Sequence, residues 1–193
     1  MSRYHSLLKR ITQLGLILTM GVSMSGCSAT LSWKEEVKLL DGRVINITQK
    51  RRYDNVYTGS NSGTLPREFW LVFKLKEFGD GEITWHENLE PRVINVYQGK
   101  FYLVGVPLTE REFRQYGSPR PSYLGYRYEA GQWQSIPFNE IPVEIYDTNL
   151  LIANEPPKGA KLVTFVMKAE EMRDDSLVQY LKKIDPKHAS LNY

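Results

Sequence analysis

Residues 68–85 read EFWLVFKLKEFGDGEITW. Phe69, Leu71, Phe73 and Leu75 alternate with Trp70, Val72 and Lys74, the period of two that sends successive side chains to opposite faces of a β-strand. Gly79-Asp80-Gly81 then interrupts the run and marks a turn before the chain returns. A strand, a glycine-bounded turn and a second strand make a hairpin, and the rest of the chain repeats this plan.

In residues 33–49, WKEEVKLLDGRVINITQ, Lys34, Glu36 and Lys38 alternate with Glu35, Val37 and Leu39. Asp41-Gly42 permits the positive dihedrals of a two-residue turn, and Ile45 and Ile47 continue the apolar face on the return. RVINVYQGKFYLVGVP (92–107) turns at Gln98-Gly99, and YLGYRYEAGQWQSIP (123–137) turns at Ala130-Gly131. Four consecutive hairpins predict a mainly β, antiparallel domain. Gly42, Gly81, Gly99 and Gly131 are separated by 39, 18 and 32 residues, too irregular for propeller blades, which recur at a nearly fixed period. A sandwich or an open barrel is expected instead.

Tyr53–Pro66 (YDNVYTGSNSGTLP) and Arg111–Pro121 (REFRQYGSPRP) are read as loops. KLVTFVM, from Lys161, is read as a further strand. Ser176 and Gln179 match a capping box, and Leu177, Tyr180, Leu181 and Ile184 follow at helical spacing until Asp185-Pro186. This predicts a short C-terminal helix whose apolar stripe packs on the sheet, or else meets a partner.

The amino end differs in kind. Arg3, Lys9 and Arg10 precede an apolar run from Ile11 to Met24 with no acid in either, a secretory-signal layout. The run is shorter than the roughly 20 apolar residues that span a bilayer. Cys27, the only cysteine, stands where it ends.

Met24-Ser25-Gly26-Cys27 resembles a bacterial lipobox, although Met24 occupies the position where leucine is usual. The resemblance implies cleavage before Cys27, which becomes the amino terminus and carries a thioether-linked diacylglycerol and an amide-linked third acyl chain. Each buried methylene contributes about 0.8 kcal/mol, so three chains anchor durably where one binds only marginally. Ser28 follows the cysteine where an aspartate would imply retention in the inner membrane, so the resemblance implies an outer-membrane anchor with the protein facing the periplasm. The competing reading of Cys27 is a buried or reactive thiol beside an uncleaved anchor. SWKEEVKLLDGRVINITQKRRY (32–53) and PSYLGYRYEAGQWQSIPFNEIP (121–142) are also similar to stretches of a proteobacterial lipoprotein family with no assigned activity.

The expected organisation is a signal peptide over 1–26, a lipidated tether over 27–32 and one β-rich domain over 33–193. Five tether residues, 28–32, reach at most ~18 Å, which keeps the domain near the lipid. With Cys27 acylated, no thiol remains for a disulfide, and stability rests on a packed core.

Charge and motifs limit the chemistry. The chain has 25 Lys plus Arg against 22 Asp plus Glu. The leader holds three of the bases and none of the acids, leaving 22 against 22, without the basic excess of a nucleic-acid binder. Lys50-Arg51-Arg52 is read as a solvated strand end. His86 and His188 are far apart and no thiolate is free, so no cofactor or metal is expected. No Gly-x-Ser-x-Gly turn is present, and His86, beside Trp85, reads as a surface or cross-strand histidine.

Glu82, Glu87 and Glu90 keep open an alternative, hydrolysis of an envelope glycan by paired carboxylates. Tyr116, Tyr123, Tyr126, Tyr128 and Trp133 crowd one region with Arg114, Arg120 and Arg127. Tyr126 and Tyr128 share a face with Leu124 and are expected in the core, whereas Arg114, Tyr116 and Trp133 are the candidate binding residues. The sequence therefore points to a lipid-anchored envelope protein with a non-catalytic binding or structural role, its partner an envelope protein or glycan, or else to an accessory of a larger envelope assembly.

Overall fold

A computed structural model describes residues 28–58, 61–151, 155–171, 173 and 179–187. Eight strands form two four-stranded antiparallel sheets, each a meander in chain order. The first contains β1 (Ala29–Lys38), β2 (Val44–Thr58), β3 (Asn61–Phe73) and β4 (Ile83–Glu87). The second contains β5 (Glu90–Tyr97), β6 (Lys100–Val106), β7 (Leu124–Glu129) and β8 (Gln132–Ile136). The chain crosses between them through Asn88 and Leu89 alone. Sandwich, not barrel, is the outcome.

Alternation fills the interior. Val37, Ile47, Phe69, Leu71, Phe73, Ile83 and Trp85 of the first sheet share one core with Ile94, Phe101, Leu103 and Tyr126 of the second. Phe73 meets Phe101 edge-on at 5.2 Å, and Trp85 meets Tyr126 likewise at 5.7 Å. In the second sheet, β5 and β6 are buried on both faces. Its other face, with Val93, Tyr102, Val104 and Val106, is covered by Tyr123, Ile141, Ile145, Tyr146 and Ile184. That explains why FYLVGV (101–106) in β6 is continuously apolar: a strand with no solvent face has no polar positions to alternate.

The turns follow their residues, with one adjustment. Gln98 and Gly99 (φ 48° and 73°) and Ala130 and Gly131 (φ 49° and 82°) form the two-residue turns expected. At the first hairpin, Leu39 N–H donates to the Arg43 carbonyl (2.8 Å), enclosing Leu40, Asp41 and Gly42. This three-residue loop puts Gly42 at φ +88°, the left-handed position such loops require.

Several expectations are corrected. The stretch 53–66 is not a loop: β2 and β3 stay paired through Thr58↔Asn61. Arg111–Pro121 begins inside a helix, α1 (Glu110–Gln115), whose N-cap residue Thr109 donates its hydroxyl to the Glu112 carboxylate. KLVTFVM is not a strand. Val163 makes a single parallel bridge to Glu35, after which α2 (Phe165–Glu171) begins, with Met167 N–H donating to Thr164 Oγ1 at 3.2 Å. Of the tether expected over 27–32, residues 29–32 are already strand, because Ala29 pairs with Tyr53. A further helical turn, α3 (Gln179–Lys182), lies within the expected C-terminal helix, and Ile184 beyond it is buried. Ser176 and Leu177, like Cys27, the leader and His188, lie outside the described residues.

Arg51 also departs from expectation. Lys50-Arg51-Arg52 lies in the middle of β2 and not at a strand end; Lys50 is exposed, but Arg51 is 2 % exposed. It occupies the inward parity of Ile47, Gln49 and Tyr53, between the rings of Trp33 (4.8 Å) and Phe69 (5.7 Å). It donates to the Leu151 carbonyl at 2.6 Å. Gln49 donates to the same carbonyl (3.2 Å), and Glu35 accepts the Leu151 N–H (3.2 Å). At this end of the first sheet, the inward face is covered by Leu151 and Val163, and polar side chains grip the covering backbone.

Candidate functional site

Once these faces are covered, the outward face of the first sheet remains open. It is built by the other parity of the same strands. Lys50 of β2, Trp70 of β3 and His86 of β4 are direct cross-strand partners. Lys50 Nζ lies 4.5 Å from the Trp70 ring centroid, and Trp70 and His86 stack at 4.3 Å with their planes 11° apart. Such neighbours interact because opposed residues in a sheet bring their Cβ atoms to about 5 Å. The indole is therefore flanked on both sides and presents its edge outward.

The adjoining row is ionic. Arg52 bonds to both Glu68 (2.7 Å) and Asp54, and Glu68 lies 3.2 Å from His86 Nε2. Burial raises the Glu68 carboxyl pKa, but hydrogen bonds from Arg52 and His86 outweigh it and leave the group below the ordinary glutamate range. On the opposite side of the Lys50–Trp70–His86 row runs Lys34, Thr48, Val72 and Thr84. Lys34, Thr48 and Val72 line an open depression of about 610 Å³ with Asn46, Lys74 and Glu82. The surface is flat to shallow, three to four strands wide, with a half-buried tryptophan among both signs of charge.

The candidate binding residues from the sequence sit elsewhere. Arg114 extends from α1, 74 % exposed, and pairs with Glu110 one turn earlier. Tyr116 caps the helix. Its hydroxyl donates to Glu87 (2.7 Å) and accepts from the Asn88 N–H (3.1 Å), and burial followed by that carboxylate pushes its pKa up. Trp133 donates its indole N–H to the Thr84 carbonyl at 2.9 Å and packs on Phe101 and Tyr128. Tyr116 and Trp133 thus use their polar atoms to fasten the region after β6 and strand β8 to β4. Tyr126 is buried and Tyr128 partly so, in the core where their shared parity with Leu124 put them.

The three acids of the hydrolase alternative have separate surroundings. Glu87 accepts from Tyr116, Glu90 is buried with Arg92 at 2.8 Å, and Glu82 is exposed beside the depression. Among the described residues, no group of His, Cys, Asp and Glu is arranged to hold a metal ion. No helix there is long and apolar enough to cross a membrane.

His86 was legible as a cross-strand histidine. Its partner Trp70 had been counted only as the alternating, non-core member of β3. An aromatic at an outward position is the signal that would have found the site. No family model, curated protein or solved structure matches the chain.

Proposed function

We propose that this chain is a lipid-anchored, non-catalytic binding protein of a bacterial cell envelope, held by acylated Cys27 and presenting the outward face of β2–β4 to an envelope protein or glycan. The observation that carries the binding reading is the open sheet face. The facing sides of the two sheets and the outer side of β5 and β6 are covered by apolar packing, while this face bears the ordered row Lys50, Trp70 and His86. The anchor reading is supported by the lipobox-like Met24-Ser25-Gly26-Cys27 and by a fold that begins two residues later.

Each half has its own test. Replacing Cys27 with serine is expected to abolish membrane retention and maturation, with the acyl mass missing from the amino-terminal peptide. Unchanged fractionation would remove the anchor. Backbone amide shifts recorded during titration with soluble cell-wall glycan fragments, and separately with extracted envelope proteins, are expected to move along β2, β3 and β4. Shifts clustered instead around Arg114 and α1 would relocate the binding face.

A further inference from the structure

We propose that the recess between the end of β1, the 148–150 segment and α2 is a binding site for a small organic carboxylate with an apolar body. It opens beside the edge strand β1, with β2 and β3 between it and β4, and it does not depend on the reading of the open sheet face. Its volume is about 300 Å³, at the lower end of the range typical of ligand pockets. Lys38, Lys168 and Arg173 line it together with Asn149, Leu150 and Phe165, and none of its lining residues is acidic.

Lys168 carries the argument. An ammonium has three N–H donors. Two of them are matched, by Glu35 Oε1 at 3.3 Å and by the Asn149 carbonyl at 2.6 Å. The third has no protein acceptor among the described residues, although the side chain is only 7 % exposed. A buried donor without an acceptor is costly, and an oxygen held in the recess satisfies it. A charged oxygen does so best, because a bond between two ions is roughly twice as strong as one between neutral groups. Lys38 and Arg173 add positive charge to the same recess, and among the described residues neither forms an ion pair. Glu35, the carboxylate behind Lys168, is already engaged by the Trp33 indole and the Leu151 N–H. Glu36 accepts the Phe165 N–H at the start of α2.

The walls define the rest of the ligand. Leu150, Phe165 and Ala169 are apolar, so they strip water from a dianion such as phosphate without replacing it, whereas a carboxylate can lay its hydrocarbon part against them. The site is also held in place before a ligand arrives. Asn149 Nδ2 donates to the carbonyls of Lys38 (3.1 Å) and Ile94 (2.8 Å), and its Oδ1 accepts the Ile94 N–H at 3.1 Å. The Lys38 ammonium lies 5.9 Å from the Phe165 ring centroid. A wall fixed in this way lowers the ordering cost of binding.

The test titrates the isotope-labelled full chain in detergent micelles with phenylacetate, with its neutral isostere phenylacetamide and with inorganic phosphate. Phenylacetate is expected to move the amides of Asn149, Leu150, Phe165, Lys168 and Ala169 along one saturable curve, and phenylacetamide to bind at least tenfold more weakly. Lys38→Gln combined with Arg173→Gln changes two exposed side chains outside the buried pair. It is expected to weaken phenylacetate at least tenfold while leaving the thermal midpoint unchanged. The comparison of acid with amide needs no variant, so it decides the matter even where the double variant fails to fold. Equal affinity for acid and amide, no saturable shift at these amides, or a folded double variant that binds like the parent overturns the site. Phosphate binding there as tightly as phenylacetate overturns the ligand class.

Discussion

Lys168 Nζ lies 3.3 Å from Glu35 Oε1, and neither side chain is more than 7 % exposed. This pair joins α2 to the first strand across 133 residues of sequence. Glu35 also accepts from the Trp33 indole (2.8 Å) and the Leu151 N–H, while Lys168 donates to the Asn149 carbonyl at 2.6 Å. The carboxylate is thus the point where the first strand, the 149–151 segment and α2 meet. Burial lowers the Lys168 pKa, and Glu35 offsets this only in part.

Breaking one side of a buried pair leaves an uncompensated charge, at about 3–5 kcal/mol. Lys168→Met is therefore expected to lower the unfolding free energy extrapolated from urea denaturation by that amount. Adding Glu35→Gln is expected to recover a substantial share, because the lone carboxylate is gone. Equal losses in the single and double variants would show that packing, not charge, holds α2.

Arg51 and Lys50 are adjacent in sequence and opposite in consequence. Arg51→Ala removes a charge-assisted hydrogen bond of about 1.5–3 kcal/mol and contacts with two aromatic faces. Its loss is expected to reach about 3 kcal/mol or more. Lys50→Ala removes one exposed cation–π contact and is expected to cost no more than about 1 kcal/mol. Denaturation curves of the two variants check the contrast, and similar losses would contradict the inward placement of Arg51.

Gly125 on β7 has no room for a methyl group. A Cβ there would stand 2.8 Å from Ile141 Cγ1 and 2.9 Å from Ile136 Cγ1. Gly125→Ala is expected to cost about 1–3 kcal/mol through overpacking. Ile141→Val in the same chain should relieve part of this. Thermal unfolding of the single and double variants tests the clash.

Glu68 makes part of the stability dependent on pH. Its folded-state pKa is below the unfolded value, so its contribution is complete above the unfolded pKa of about 4.3 and disappears as pH falls through the folded value. Glu68→Gln is accordingly expected to flatten the acid limb of the stability profile below about pH 4. An unchanged limb would mean that Arg52 and His86 do not hold this carboxylate in solution.

Most of the strand framework was legible because a half-buried strand writes its two faces into alternate residues. Phe69, Leu71 and Phe73 became core, and Trp70 and Val72 the open face, as parity required. Parity also placed Arg51 inward, but charge suggested the reverse, since the rings and the carbonyl that make its burial tolerable come from Trp33, Phe69 and Leu151. The aromatic character of Tyr116 and Trp133 was visible in the sequence, while the acceptors of their polar atoms, Glu87 and the Thr84 carbonyl, were not.

The sequence by itself determined the hairpins and the alternation of their two faces, which arise between residues close along the chain or from one strand's own pattern. The tertiary structure alone decided that 161–167 leaves the sheet for a helix and that the 53–66 stretch stays paired. It also decided that Lys50, Trp70 and His86 meet in one row. Those outcomes depend on surroundings assembled from distant segments: Glu36 accepts the N–H of Phe165 at 3.3 Å from 129 residues away, and no local propensity contains that contact.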